Sequence, residues 1–178
     1  MHNNVVTGSN ITKVYGSLFD GKSNFRKWLH GVNYVIHAAR PSSGKALGRY
    51  LMANRTRKAI KSMISVIEES SVSSTIVLHG SLSYGDRGEE IVETDSKLNP
   101  AGYSKAYSIG ERPWLEYLKH GGDVRIVRSP WILGPGSWFN MLYAGDSIPI
   151  IDGGRQWMSL VSINSLSEYV WSLTDQKP

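Results

Sequence analysis

The chain contains no cysteine. Disulfide scaffolds and Cys-ligated zinc or iron–sulfur centres are excluded, while the compartment stays open, because a missing disulfide argument does not prove a reducing cytosol. Long hydrophobic runs are missing too. No stretch approaches the ~18 unbroken apolar residues that a membrane-spanning helix needs, and Met1 to Tyr15 carries no hydrophobic signal core. Internal repeats and low-complexity tracts are absent. The five histidines, His2, His30, His37, His79 and His120, never recur at metal-ligand spacing, so no metal site is expected. These absences lead to the expectation of a soluble, cytoplasmic protein without a membrane partner.

The 178 residues, 40% of them hydrophobic, suffice for one globular domain over residues 1–178. Twenty Lys and Arg against fifteen Asp and Glu leave a formal charge of +5, which suggests an affinity for anions. The one dense basic run, Arg55-Thr56-Arg57-Lys58 with Lys61, falls in a helical segment, where a solvated face is the simpler reading. No nucleic-acid module accompanies it, so nucleic acid is not expected as a partner.

Strand and helix patterns alternate along the chain. TKVYGSL (12–18) has strand character, and 23–31 opens with a serine cap and carries Phe25, Trp28 and Leu29 at helical spacing. VNYVIHAA (32–39) reads as a strand buried on both faces. A long helix is expected over about 46–69, a buried strand over 74–80, a helix over about 100–120 and a strand over 123–129. Beyond these, WILGPGSW reads as a Gly/Pro loop, IPIID as a short strand and SINSLSEYVWSL as a strand end feeding a helix. Pro113 predicts a break near Gly110, since proline inside a helix costs ~3 kcal/mol. The alternation implies a doubly wound parallel sheet, in which ligands bind beyond the carboxyl ends of the strands. That rule selects 37–43, 80–85 and 129–136.

The first of these segments is not a Walker-type loop. Ala39 stands where the leading glycine is required and Ala46 follows Lys45 in place of Ser or Thr. What remains is a small-residue turn, Ala38-Ala39, that lets a flat ligand approach the backbone. The second segment sets the hydroxyls of Ser81, Ser83 and Tyr84 just past a strand. On the helix that follows, Tyr103, Tyr107 and Glu111 lie one turn apart on one face, with Lys105 about 200° away by the ~3.6-residue period. A tyrosine moves a proton at a carbinol or carbonyl only when a nearby cation lowers its pKa from about 10. Trp131, Trp138, Phe139 and Tyr143 surround the Gly/Pro loop and suit either core packing or stacking on a ring.

Taken in order, these segments resemble the extended short-chain dehydrogenase/reductase superfamily, in its NAD-dependent epimerase/dehydratase and 3β-hydroxysteroid dehydrogenase-like group. VYGSLFD (14–20) is similar to "v-x-G-D-l-x-D", and GVNYVIHAA (31–39) to "gvd-x-ViHlAa". VLHGSLSYGD (77–86) is similar to "v-SS-xx-vYG-d", and the run from Glu93 to Glu111 to "E-x-x-p-x-x-P-x-x-Y-xx-sK-xxx-E". VRIVRSPWILGPG (124–136) and 147–170 continue the series, so the likeness covers about 14–173.

The resemblance implies a Rossmann-like sheet with a small substrate lobe drawn partly from about 130–178, NAD or NADP as cofactor, and hydride transfer at a carbinol or carbonyl of a small molecule such as a nucleotide-sugar or sterol. By position it makes Tyr103 the acid/base and Ser81 the orienting hydroxyl. Ala38, Ala39, Arg40 and Asn54, with Pro130 and Trp131, become the residues beside the cofactor.

The chain also departs from the pattern. It has no G-x-x-G-x-x-G turn, and on the family's pattern it begins at the third strand, as an N-terminally truncated version would. Ser17 replaces the aspartate near adenine, Gly80 falls at the catalytic hydroxyl position unless the register slips by one to Ser81, and Tyr107 stands at the lysine position. An inactive dinucleotide-binding or regulatory module is the alternative these departures imply. A homodimer or partner chain covering an exposed sheet edge is a further expectation.

Overall fold

The computed structural model describes residues 10–39, 43–102, 104–150 and 152–175. Its centre is a parallel three-stranded sheet, β1 (Tyr34–His37), β2 (Ser74–Gly80) and β3 (Val124–Ser129), in the order β1-β2-β3. Helix α1 (Lys22–Leu29) precedes β1, α2 (Ala46–Glu68) joins β1 to β2, and α3 (Ser104–Lys119) joins β2 to β3. Two three-residue strands, β4 (Trp131–Leu133) and β5 (Leu160–Ser162), form a second parallel pair, with α4 (Trp138–Tyr143) between them and α5 (Ile163–Ser172) after them. This is the α/β arrangement that strand–helix alternation implies.

Two cores follow from strand alternation. Val77, Val124 and Ile126 point to one face and pack with Ile60, Met63, Ile64 and Ile67 of α2, Trp114 of α3 and Phe25 of α1. Ile76, Leu78 and Val127 point to the other and meet Leu166, Val170 and Leu173 at α5. At the amino edge, Arg125 and Ser74 both bond the Asp123 carboxylate.

Several local expectations are corrected. Residues 12–18 form no strand and pair with none among the described residues, and Trp28 instead packs over Gly16. Helix α1 is capped by Gly21 rather than by a serine. Strand β1 is shorter than 32–39 and is not buried on both faces: Tyr34 and Ile36 are each 44% exposed, because β1 is the sheet edge and α5 covers only β2 and β3. WILGPGSW is not all loop, since pairing with β5 draws Trp131–Leu133 into a strand, and 148–150 has no strand partner and stays irregular. Helix α3 runs unbroken past Pro113. Ala106 and Trp114, each 1% exposed, anchor both sides of the proline, and that burial outweighs its cost.

Candidate functional site

The parallel register sets His37 beside Val77 and His79 beside Arg128. Because side chains alternate faces, His37, Val77, His79 and Arg128 belong to one row on the α2/α3 side of the sheet. The row is apolar toward the amino ends and polar at the carboxyl ends, where the chain leaves β1 and β2.

Glu111 of α3 reaches into this polar layer and is 1% exposed. One carboxylate oxygen accepts a hydrogen bond from the Arg128 guanidinium, and the other accepts one from the Ser83 hydroxyl at 3.4 Å. His79 Nδ1 stands 3.6 Å from that second oxygen and 3.4 Å from Ser83 Oγ. A carboxylate facing Nδ1 favours the tautomer with its proton there, which makes Nε2 the basic nitrogen of the ring. Arg128 also lies over the Tyr84 ring, 5.5 Å from its centroid. The carboxylate therefore ties the end of β2, the 3-10 turn Ser81–Tyr84 and β3 to one helix.

Between this layer and the two helices lies a narrow cleft, partly open to solvent. Ala39, Arg49 and Tyr107 line it along with His37 and His79, and Thr56, Ile60, Gly110 and Trp114 carry it down between α2 and α3. Burial, with a smaller contribution from the neighbouring His79, lowers the His37 pKa to about 4. At neutral pH His37 is uncharged, with its ring tilted against the Trp114 indole at 5.6 Å.

The residues singled out from sequence are distributed around this cleft. Ala38 and Ala39 follow β1 and are exposed, and Ala39 lines the cleft. Ser81 opens the 3-10 turn and is half-buried, whereas Ser83 supplies the hydroxyl of the Glu111 network. Asn54 lies exposed on α2 and donates to the Tyr50 carbonyl of its own helix at 3.0 Å. Pro130 and Trp131 follow β3, half-buried, and Trp131 meets Phe139 edge-on at 6.5 Å. Phe139 and Tyr143 stack at 4.6 Å, while Trp138 is exposed. Tyr103 and Arg40 lie outside the described residues. Lys105 is exposed.

Sequence reasoning passed over Arg128 and the role of His79. A signal existed: a charged side chain inside a strand that reads as buried must find a buried counter-charge. The sequence does not say which helix supplies it.

No protein-family model matches the chain, and no curated protein does. Solved structures do match. A dTDP-glucose 4,6-dehydratase from Streptomyces venezuelae, solved with NAD, superposes with a TM-score of 0.74 at 19% identity, over 90% of this chain and 54% of the enzyme. The chain has the fold of the extended short-chain dehydrogenases/reductases. That fold recurs in a UDP-N-acetylglucosamine 4-epimerase from Methanobrevibacter ruminantium M1, with a TM-score of 0.73 at 14% identity over 96% of this chain and 59% of the epimerase. It recurs again in a UDP-glucuronic acid 4-epimerase variant from Bacillus cereus solved with NAD, with a TM-score of 0.72 at 17% identity, over 93% and 56%. The chain thus spans little more than half the length of these three solved proteins. Among its described residues, no helix is long and apolar enough to cross a membrane.

Proposed function

We propose that this domain takes part in NAD(P)-dependent oxidoreductase or epimerase chemistry on a carbinol or carbonyl of a small molecule, a nucleotide-linked sugar being the class that the solved neighbours suggest. One observation carries the reading: the cleft opens at the carboxyl ends of β1 and β2, beside the Ala38-Ala39 turn, where sheets of this kind receive their ligands. In this reading Ala38, Ala39 and Arg40 pass the cofactor, Pro130 and Trp131 flank it, Tyr103 exchanges the proton and Ser81 orients the substrate oxygen. A nicotinamide cofactor held there would supply the hydride acceptor or donor. The rigid Glu111–Arg128 clasp holds the β2 end that presents Ser81 and His79.

Tyr107 and Gly80 favour a second reading, a dinucleotide-binding or regulatory module without turnover. A tyrosine at position 107 brings no cation to the tyrosine one turn earlier, and glycine at position 80 brings no hydroxyl. Loss of such a cation costs rate at about 1.4 kcal/mol per tenfold. The protein incubated with oxidised cofactor and UDP-glucose or dTDP-glucose separates the two. Under the first reading reduced nicotinamide or an altered sugar accumulates, and does so far more slowly in Tyr103→Phe; a rate unchanged in that variant removes Tyr103 from the chemistry. Binding without conversion assigns the second reading. A parallel strand from a partner or a second copy covering the free β1 edge, where Tyr34 and Ile36 are exposed, fits either reading.

A further inference from the structure

Acid is concentrated in one exposed loop of this basic chain. Asp86, Glu89, Glu90, Glu93 and Asp95, a third of its fifteen acidic residues, fall within ten positions. Arg87 gathers the ends of the loop by donating to the Tyr84 and Lys97 carbonyls, and takes Glu90 as its ion pair at 3.3 Å. Glu89, Glu93 and Asp95 make no ion pair among the described residues. Between the acids stands Ile91, 81% exposed, with Val92 beside it. An apolar tip flanked by carboxylates, on a loop held at its base, suits a partner surface that is apolar and basic.

The same chain carries such a surface on α2. Leu47, Leu51, Asn54, Lys58 and Lys61 are spaced so that they share one face of the helix, opposite the buried stripe of Thr56, Ile60 and Met63. All five are exposed, Leu47 at 73% and Leu51 at 65%. Lys61 pairs with Glu116 at 3.2 Å, and Arg55, beside this face, lies over the Phe19 ring at 4.5 Å. Lys58 makes no ion pair among the described residues. The face is therefore apolar at its amino end and cationic beyond, which complements the loop in both respects.

We propose that the exposed face of α2 in one copy receives the 88–95 loop of a second copy, with Ile91 and Val92 against Leu47 and Leu51 and the carboxylates of Glu89 and Glu93 around Lys58. A two-fold pair makes this contact twice. Each contact is small, so the association is weak and depends on concentration. It uses neither the β1 edge nor a cofactor.

Sedimentation velocity of the 178-residue chain, from about 1 μM to about 1 mM, covers the range of weak association. The expected result is an average mass that rises with concentration, and a self-association that Lys58→Glu and Ile91→Ser each weaken by about tenfold or more. The sign for Lys58→Glu is diagnostic, because that change lowers the net positive charge by which copies repel, and general electrostatics alone would strengthen the association. The double variant Glu89→Lys with Glu93→Lys also self-associates weakly. Mixing it with the Lys58→Glu chain restores pairing, since each loop again meets a helix of opposite charge. Lys27→Glu, an exposed change on α1, does not weaken the association. A chain that stays monomeric at every concentration overturns the proposal and leaves the α2 face to a different acidic partner. Association that Lys58→Glu does not weaken, as pairing at the β1 edge would give, or a mixture that restores nothing, overturns it as well.

Discussion

His79 and Arg128 stand opposite each other on adjacent parallel strands and reach the same carboxylate, that of Glu111. One buried acid on α3 thereby fixes the carboxyl ends of two strands, and with them the wall of the cleft. Such a clasp is worth less as stability than as placement, because desolvating the ions offsets much of their attraction.

Breaking the clasp from one side is nevertheless expensive. Glu111→Ala leaves Arg128 buried without its counter-charge, and a loss of about 3–5 kcal/mol in urea unfolding is expected. Arg26→Ala, which removes an exposed, solvent-screened pair with Glu69 at 2.8 Å, is expected to leave the urea midpoint nearly unchanged. Equal losses in the two variants would contradict the clasp.

His37 makes stability depend on pH in a defined window. Its folded-state value, about 4, lies below the ordinary 6.5, so between these the unfolded chain binds the proton that the folded chain refuses. Stability from this group is complete above about 6.5 and is lost as pH falls toward 4, by about 3 kcal/mol in all. Urea midpoints measured across that range should show a steeper acid loss in the natural protein than in His37→Gln. Parallel curves would refute the assignment.

Gly110 sits inside α3 with an ordinary van der Waals distance to Thr56 for any added Cβ. Gly110→Ala is expected to raise stability by about 0.5–1 kcal/mol through helix propensity. Thermal unfolding checks the sign; a lower midpoint means that α2 and α3 approach more closely than described.

Gly85 is the opposite case. Its φ of 80° disfavours a side chain, and a Cβ would run into the Asn99 backbone carbonyl. Asn99 is itself held to Ser83 by a 3.0 Å backbone hydrogen bond and cannot easily yield. Gly85→Ala is expected to cost more than ~1 kcal/mol in unfolding free energy; a neutral result would show that the turn relaxes.

The sequence carried the central elements where local pattern and burial agree. The β-branched run 74–80 is β2 to the residue, and the helical register of Ile60, Ile64 and Ile67 is the buried stripe of α2. It misled where a partner decides. Residues 12–18 have strand composition but pair with no strand among the described residues, and Trp131–Leu133 sits in a Gly/Pro context yet finds β5. Tyr34 and Ile36 read as buried because their pattern cannot say that β1 is the edge. In the site, the Ala38-Ala39 turn and the Tyr107 face were legible from position. The Glu111–Arg128 pairing was not, because it spans two elements and depends on the register of β2 against β3.

Calorimetric titration of the 178-residue chain with NAD, NADH, NADP and NADPH tests the central claim most directly. The account predicts saturable heat with at least one of the four, at one site per chain. No heat with any of them would contradict cofactor-dependent chemistry by this chain.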